Sequence, residues 1–331
     1  PDSSAYLTEK DVGKEQHTKG EDKGEAPLPP RPARPHIRTR NGDSMSIKGY
    51  IYAAIAAASY GTNPIFAIPL YREGMDVNSV LLMRYIMAVI MVGIMVGVKH
   101  PRELRLKPKE YPTLAFMGVL MVASSILLFE SYRFLSAGIA STLLFFYPVM
   151  VALIMAALYH ERLSRRSWIC LAMAFLGVMT LSRDDAGGMI SITGMLLVML
   201  SSLSYAIYLV YINRGPMRNM TSSVVTFFVL VGGLAVLAVK TYMGGGLMIP
   251  PSPMAWFNVT GLGLFPTFVS LYFTSQAIDT IGSTKTAIFG ALEPLTAVIL
   301  GIIILGEALS LNTAIGMLLI LVSVTVLTIK K

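Results

Sequence analysis

The feature that most constrains this chain is a series of long apolar runs that begins at Lys48 and recurs at regular intervals to the C-terminus. Most runs reach about 20 residues, the length at which an α-helix crosses the hydrocarbon core of a bilayer. A chain in lipid must satisfy its backbone polar groups within helices or closed barrels. The sequence therefore predicts an all-α integral membrane protein with ten transmembrane helices. Their expected bounds are 48–69, 77–98, 112–132, 138–159, 166–182, 190–212, 221–242, 254–277, 284–305 and 311–329.

Composition excludes three other classes of protein for the chain as a whole. Only 14% of the residues are charged and 54% are apolar, with a mean hydropathy of +0.63. A soluble domain carries about 25% charged residues. The chain as a whole is therefore neither a soluble enzyme, nor a nucleic-acid-binding domain, nor a disordered protein.

Residues 1–45 differ from the rest because they lack apolar periodicity and include the Pro-rich run Pro27–Pro35. Such a segment buries too little apolar surface to become ordered, so we predict a disordered polar tail. Met45 directly precedes the first apolar run. Two explanations stay open: Met45 is the natural start and the tail is extraneous, or the tail is a dispensable cytosolic segment.

The formal net charge of +8 predicts membrane orientation rather than a nucleic-acid partner. The first 47 residues hold eight basic and eight acidic residues, so the excess lies in the apolar part of the chain. If both termini are cytosolic, the inner segments beyond the tail hold 14 Lys and Arg, and the outer segments hold four. Cytosolic loops are enriched in these residues. We therefore expect both termini in the cytosol.

The two halves of the chain repeat each other at a nearly fixed offset. Tyr60 matches Tyr205 at an offset of 145 residues, and Pro148 matches Pro294 at 146. Each half contains five predicted helices. The two predicted repeats span 46–183 and 184–331.

An odd number of helices per repeat implies that the second repeat enters the membrane from the opposite side. The repeats are then related by a pseudo-two-fold axis in the membrane plane. Many secondary transporters have this plan and bind substrate between the repeats near the midplane. Such carriers work by alternating access. Duplication also arises in scaffolds and scramblases, so a non-transporting membrane scaffold remains an alternative.

Five short phrases carry a resemblance to a known family. They are Phe146-Tyr147-Pro148, Glu161-Arg162-Leu163, Gly282-Ser283-Thr284-Lys285-Thr286-Ala287, Leu292-Glu293-Pro294 and Leu305-Gly306-Glu307-Ala308-Leu309. With the ten helices and the duplication, they make residues 46–329 resemble the EamA-type permeases of the drug/metabolite transporter superfamily. Members of that family move amino acids, other metabolites and drugs, commonly outward.

The resemblance implies a secondary transporter in the bacterial cytoplasmic (inner) membrane that exports a small metabolite. The cargo stays open among amino acids, drug-like compounds and other polar or amphipathic solutes. The expected partners are this small-molecule substrate and the lipid bilayer, and the oligomeric state stays open. No nucleotide-binding motif is present, so a gradient or an exchange must drive transport.

A sugar-phosphate or nucleotide-sugar exchanger of the same superfamily is an alternative. Phosphate groups would require several buried cations, and Arg84 is the one cation clearly inside a predicted helix. An intramembrane enzyme would require clustered His, Asp or Cys at membrane depth. The single cysteine, Cys170, and the four histidines form no such cluster, so we expect no catalytic residue, no cofactor and no metal.

Two helix-breaking prolines, Pro148 and Pro294, lie near the middle of the fourth and ninth predicted helices. Each removes a backbone hydrogen bond and frees a carbonyl group, which protein or water must satisfy. Interrupted helices at corresponding places in two repeats indicate a transporter's binding site. A packing kink is the alternative.

Glu293 places a carboxyl group beside Pro294, where insertion of an acid costs about 2.5–3.5 kcal/mol. Burial favours its neutral form, so it could bind and release protons. We expect it to bind substrate or to couple transport to protons; the alternative is an acid hydrogen-bonded within the bundle. Tyr147 occupies the repeat-equivalent position and is also a candidate.

Further candidates could line a cavity through hydrogen bonds and ring contacts. They are Asn63, Tyr60, Tyr205, Tyr272, Gln276 and Arg84. Tyrosines near helix ends also serve as interface anchors, and an arginine can snorkel or pair two helices. Two glutamates at helix ends, Glu161 and Glu307, are expected to be structural or to support gates, with Glu161 pairing with Arg165.

Overall fold

The computed structural model describes residues 42–160, 164–181, 190–214 and 220–328, and this part of the chain is helical without strands. The predicted tail lies outside the described residues except for its last four positions, because the first helix already begins at Gly42. In the first half the helices are α1 (Gly42–Gly61), α2 (Asn63–Arg72), α3 (Val77–Lys99), α4 (Tyr111–Ser131), α5 (Ala137–Leu144), α6 (Tyr147–Tyr159) and α7 (Arg165–Leu181).

The second half has the same succession of elements. Its helices are α8 (Ile192–Arg214), α9 (Ser222–Met243), α10 (Pro253–Gly263), α11 (Ser270–Ile281), α12 (Ser283–Phe289), α13 (Leu292–Leu300) and α14 (Leu311–Thr328). Two π-helical segments, Leu264–Val269 and Gly301–Leu305, follow α10 and α13.

Within the described residues, seven stretches of helix are long and apolar enough to cross a membrane, so this is an integral multi-pass membrane protein. They are Ile47–Arg72, Val77–Lys99, Pro108–Ser131, Ala137–Tyr159, Ile192–Ile212, Ser223–Met243 and Pro253–Ile281. The predicted helices over 284–305 and 311–329 correspond to shorter apolar helices, Leu292–Leu305 and Leu311–Leu327. The predicted helix over 166–182 corresponds to α7, which has 17 residues.

Four of the helices predicted as continuous are interrupted in the structure. The first is divided at Thr62, the fourth at residues 145–146, and the ninth at residues 290–291, while the eighth contains the π-helical segment Leu264–Val269. A proline lies just beyond each division or within the π segment, and a proline cannot donate the backbone hydrogen bond that continues an α-helix. The prolines are Pro64, Pro148, Pro266 and Pro294.

Helices of one half pack mainly on helices of the other. α1 contacts α11 and α13, and α8 correspondingly contacts α4 and α6. α3 packs on α9, α5 on α13, and α7 on α14. The largest fully buried side chains include Phe129, Phe145 and Phe146, which lie on α4 and at the division between α5 and α6. Exposed Trp168, Ile169 and many other large apolar side chains suit a lipid-facing surface.

Equivalent residues of the two halves make equivalent contacts. A Cβ atom at Gly49 would collide with Ile281, at 2.4 Å, and one at Gly194 would collide with Leu135, at 2.6 Å. Both pairs are related by the sequence offset of 145 to 146 residues. Gly177 contacts Gly316, and the repeat equivalents of these two residues are Ser323 and Cys170. Ser323 in turn donates a hydrogen bond to the Cys170 carbonyl. The duplication in the sequence is therefore also present in the packing.

Candidate functional site

Pro148 and Pro294 lie in the first turns of α6 and α13, directly after the two helix divisions. α13 also packs against α5, the helix that precedes the first division. Each proline leaves the carbonyl group four residues earlier without its helical donor. The Leu144 carbonyl instead accepts a hydrogen bond from the hydroxyl group of Ser202 on α8, at 3.3 Å. The chain at residues 145–146 is therefore held by a side chain from the other repeat.

At the second division, the carbonyl group that Pro294 leaves without a helical donor is that of Gly290, and it accepts a hydrogen bond from the same segment of chain. The backbone N–H of Glu293 donates to the carbonyl of Gly290 at 3.0 Å. Ala57 is the repeat equivalent of Ser202 at an offset of 145 residues, and alanine has no hydroxyl group to donate. The two divisions therefore share their position in the repeat but differ in the hydrogen bonds that support them.

Glu293 lies where the end of α1 packs closely against the first turn of α13. A Cβ atom at Gly61 would be 2.4 Å from the Glu293 carbonyl oxygen and 2.8 Å from the Thr296 side chain. Only glycine fits such a contact without movement of one helix. The end of α1, including Tyr60, is therefore pressed against the first turn of α13.

The Glu293 carboxyl group lies near several tyrosines. It interacts electrostatically with the hydroxyl groups of Tyr60, Tyr147 and Tyr205. The rings of Tyr147 and Tyr205 meet edge to face, with centroids 5.0 Å apart. Tyr205 also stacks on Tyr208 at 5.8 Å. The structure thus brings together four of the residues that the sequence singles out.

The Glu293 carboxyl group makes no hydrogen bond or ion pair with any other described residue. Its side chain is only half-buried, whereas the neighbouring Pro294 is buried. A carboxyl group in this state can accept a proton or pair with a positively charged group of a solute. The phenol groups around it can donate, accept and stack.

Arg84 adds a positive charge to the same cluster. It is 6% exposed, so it does not snorkel to the interface. Its Nε donates to the hydroxyl of Thr267 at 2.8 Å, and its side chain also interacts electrostatically with Tyr60. Its guanidinium carbon lies 5.2 Å from the centre of the Phe129 ring. Arg84 therefore pairs α3 with the π-helical segment and also reaches Tyr60.

Asn63 supports the division between α1 and α2. Pro64 leaves the Tyr60 carbonyl without a helical donor, and Nδ2 of Asn63 donates to this carbonyl at 3.0 Å. The Asn63 side chain is 2% exposed, and its Oδ1 has no hydrogen-bond partner. Asn63 thus holds the backbone of Tyr60 in place and keeps one unused acceptor.

Tyr272 and Gln276 lie in a different environment from the other candidates. The Tyr272 ring stacks on Phe268 with centroids 6.2 Å apart, and the ammonium group of Lys99 lies 4.7 Å from its centre. The carbonyl of Gln276 accepts the Thr280 hydroxyl at 2.6 Å within α11. Neither residue makes a described contact with the Glu293 cluster, which comprises Glu293, Tyr60, Tyr147, Tyr205 and Arg84.

Tyr132 belongs beside this cluster although the sequence analysis does not select it. Its buried hydroxyl interacts electrostatically with Tyr60, Arg84 and Glu293 and is hydrogen-bonded to Ser141. Tyr132 directly follows α4, and nearby Glu130 and Arg133 form an ion pair at 3.3 Å.

Glu307 caps a helix of the other repeat. Its carboxylate accepts hydrogen bonds from the backbone N–H groups of Ala137 and Gly138, at 2.6 and 3.4 Å, at the start of α5. Acidic side chains stabilise helix N-termini because they satisfy free N–H groups and oppose the helix dipole. This geometry fits the structural role expected for Glu307. Glu161 and its expected partnership with Arg165 lie outside the described residues.

The sequence pattern of the EamA-like transporter family matches the chain twice, over residues 47–183 and 192–329. Two relatives from Bacillus subtilis are named "Uncharacterized transporter YvbV" and "Uncharacterized transporter YdfC". YvbV is 27% identical over 80% of this chain and 87% of its own length. YdfC is 25% identical over 63% of this chain and 68% of its own length.

A relative from Archaeoglobus fulgidus, named "Uncharacterized transporter", is 24% identical over 69% of this chain and 81% of its own length. A solved structure titled "Crystal structure of protein" is similar in fold. Its TM-score is 0.59 at 19% identity, over 86% of this chain and 96% of that one.

Proposed function

Because the chain belongs to the EamA-like transporter family, we propose that it is a secondary transporter that exports a small organic solute by alternating access. The Glu293 cluster is the proposed site of substrate binding or proton coupling. The observation that carries this proposal is the Glu293 carboxyl group, which lies at a helix division without a hydrogen-bond partner among the described residues. A purely structural acid would be expected to have one.

An inverted arrangement of the two repeats is part of the proposal. Gly49 contacts Ile281, and their repeat equivalents, Gly194 and Leu135, contact each other in the same way. Such matching pairs of contacts support a pseudo-two-fold relation between the repeats. With ten membrane crossings, five in each repeat, that axis would lie in the membrane plane. The repeats would then rock about the Glu293 cluster and open it to either side in turn.

The proposed cargo is a metabolite with hydrogen-bonding groups and an apolar or aromatic part. Three phenol groups and a carboxyl group suit an amino acid or an amphipathic, drug-like solute. Arg84 is the one buried cation of the described residues, and Thr267 and the Phe129 ring already engage it. A site for a phosphate dianion would need more positive charge, so a sugar-phosphate exchanger is less well supported.

The proposal is tested with Glu293→Gln in proteoliposomes. A thermal-shift screen of metabolites first identifies a ligand, since a compound that binds the folded state raises its stability. Counterflow and gradient-driven transport of that compound are then measured at several pH values. Glutamine keeps the shape of the side chain but cannot titrate. We expect gradient-driven transport to be lost and exchange of labelled for unlabelled solute to persist.

The matched control is Glu130→Gln, which removes a carboxyl group from a partly exposed ion pair with Arg133. It should transport as the wild type does, because surface ion pairs contribute little. Full activity of Glu293→Gln with an unchanged pH dependence would overturn the coupling role. In that case Glu293 is a packing residue, and Glu293→Ala should mainly lower thermal stability.

A further inference from the structure

A cavity lies between α7 and α14, and its lining includes no residue of the Glu293 cluster. Its volume is about 400 Å³, and it opens where α7 begins and α14 ends. Its lining combines polar and charged side chains of one helix with apolar side chains of the other. The residues that matter here are Ser164, Arg165, Arg166, Ser167, Val326 and Leu327.

The two arginines give this cavity its chemistry. Arg165 and Arg166 are exposed, and neither forms an ion pair with any described residue. Guanidinium groups bind phosphate oxygens through paired, charge-assisted hydrogen bonds. Two exposed guanidinium groups that have no ion-pair partner among the described residues therefore favour a ligand with a negatively charged phosphate.

The surroundings of the cavity indicate where that phosphate comes from. On α7, Trp168 and Ile169 are 60% and 63% exposed, and on α14, Val322 is 42% exposed. These apolar side chains lie next to the cavity along the two helices, so an acyl chain could follow them. A tryptophan beside two arginines is typical of the boundary between headgroups and acyl chains. A soluble phosphate compound would gain nothing from this apolar surface.

We infer that the cavity between α7 and α14 binds the headgroup of an anionic phospholipid from the surrounding leaflet. The phosphate contacts Arg165 and Arg166, and the acyl chains lie against the exposed apolar faces of α7 and α14. Basic pockets between transmembrane helices bind anionic headgroups in this way. The site is separate from the proposed transport site and depends on neither the cargo nor the coupling mechanism.

The test uses the purified full-length protein in detergent. Phosphatidylglycerol, phosphatidylcholine or inorganic phosphate is added, and thermal stability and lipid adducts in native mass spectra are recorded. We expect phosphatidylglycerol to raise the melting temperature several degrees more than phosphatidylcholine, because it binds the folded state. Adducts of phosphatidylglycerol should predominate at equal lipid concentrations, and inorganic phosphate should have little effect.

The double variant Arg165→Gln, Arg166→Gln should lose most of this preference, while Arg165→Lys, Arg166→Lys should keep part of it. The matched control, Arg105→Gln with Lys107→Gln, removes two exposed charges from the loop between α3 and α4 and should behave as the wild type. An unchanged preference in the Gln variant would overturn the inference, as would a wild type that does not distinguish the two lipids. Equal stabilisation by inorganic phosphate would show a soluble anion site instead.

Discussion

At the scale of single residues, the contact between Gly61 and Glu293 determines where the carboxyl group lies. The backbone of α1 approaches α13 so closely that a side chain at position 61 would overlap the Glu293 carbonyl, at 2.4 Å. The same contact brings Tyr60 beside the carboxyl group, and Asn63 then fixes the Tyr60 backbone through a hydrogen bond of 3.0 Å. Three neighbouring residues at the division between α1 and α2 thus position an acid on α13.

Gly61→Ala should therefore disturb both stability and transport. Forcing an extra methyl group into a packed contact costs about 1–3 kcal/mol, and here the obstacle is backbone, which cannot rotate away. Gly97→Ala is the matched control, because nothing lies within 4 Å of the position that its Cβ atom would take. Thermal unfolding of the two variants measures the difference. Equal stability would mean that α1 and α13 separate without cost.

The residues that sequence reasoning selected did not all come together, and the reason is physical. A helix in lipid is apolar on every side, so its sequence does not indicate which face meets the protein. Tyr60 and Tyr205 could be paired through the repeat, whereas Tyr272 had no comparable constraint and lies near Lys99, 4.7 Å from its ring. Tyr132 was missed because it ends the predicted helix 112–132, and a tyrosine near a helix end is typical of an interface anchor.

At the scale of elements, the interrupted helices share one rule. Each proline lacks the backbone N–H group that would donate to the carbonyl four residues earlier, and another group donates to that carbonyl instead. The Thr267 hydroxyl donates to the Leu262 carbonyl at 3.1 Å next to Pro266, just as Asn63 and Ser202 do beside Pro64 and Pro148. The prolines could be read from the sequence. The donor Ser202 could not, because it lies 58 residues from Leu144.

Ser202→Ala should destabilise the fourth helix at its division. The Leu144 carbonyl would remain buried without a donor, which we expect to cost about 0.5–2 kcal/mol. Thr180→Ala is the control, since the Thr180 hydroxyl only adds a bond to the Leu176 carbonyl within its own helix. Thermal unfolding in detergent compares them. A Ser202→Ala protein as stable as Thr180→Ala would show that water or lipid satisfies the carbonyl instead.

At the scale of the whole molecule, the prediction of membrane helices rests on the strongest signal in the sequence. The apolar runs identify seven full-length spans in the structure, and the duplication appears both in the family match and in the packing. The count of ten and the opposite orientation of the repeats stay predictions. Hydropathy measures length and composition, and the two apolar helices described after residue 290 are shorter than the seven spans.

Fusions of reporter enzymes test the orientation. The distribution of Lys and Arg predicts a cytosolic C-terminus, so a fluorescent protein fused there should fold and alkaline phosphatase should be inactive. An insertion after Gly246, in the loop between α9 and α10, should give the opposite pattern. Active phosphatase at the C-terminus would overturn the orientation and, with it, the side to which each charged loop is assigned.

The repeat equivalent of Glu293 is Tyr147, so only one of the two repeats carries a carboxyl group at this position. This difference limits the number of protons that the proposed transport cycle can move. A single carboxyl group can carry at most one proton in each turnover. Exchange of that proton for a monovalent organic cation would move no net charge, so a membrane potential would neither drive nor oppose it. Exchange for a zwitterion would move one charge and respond to voltage. Electrical current during transport would therefore report the charge of the cargo.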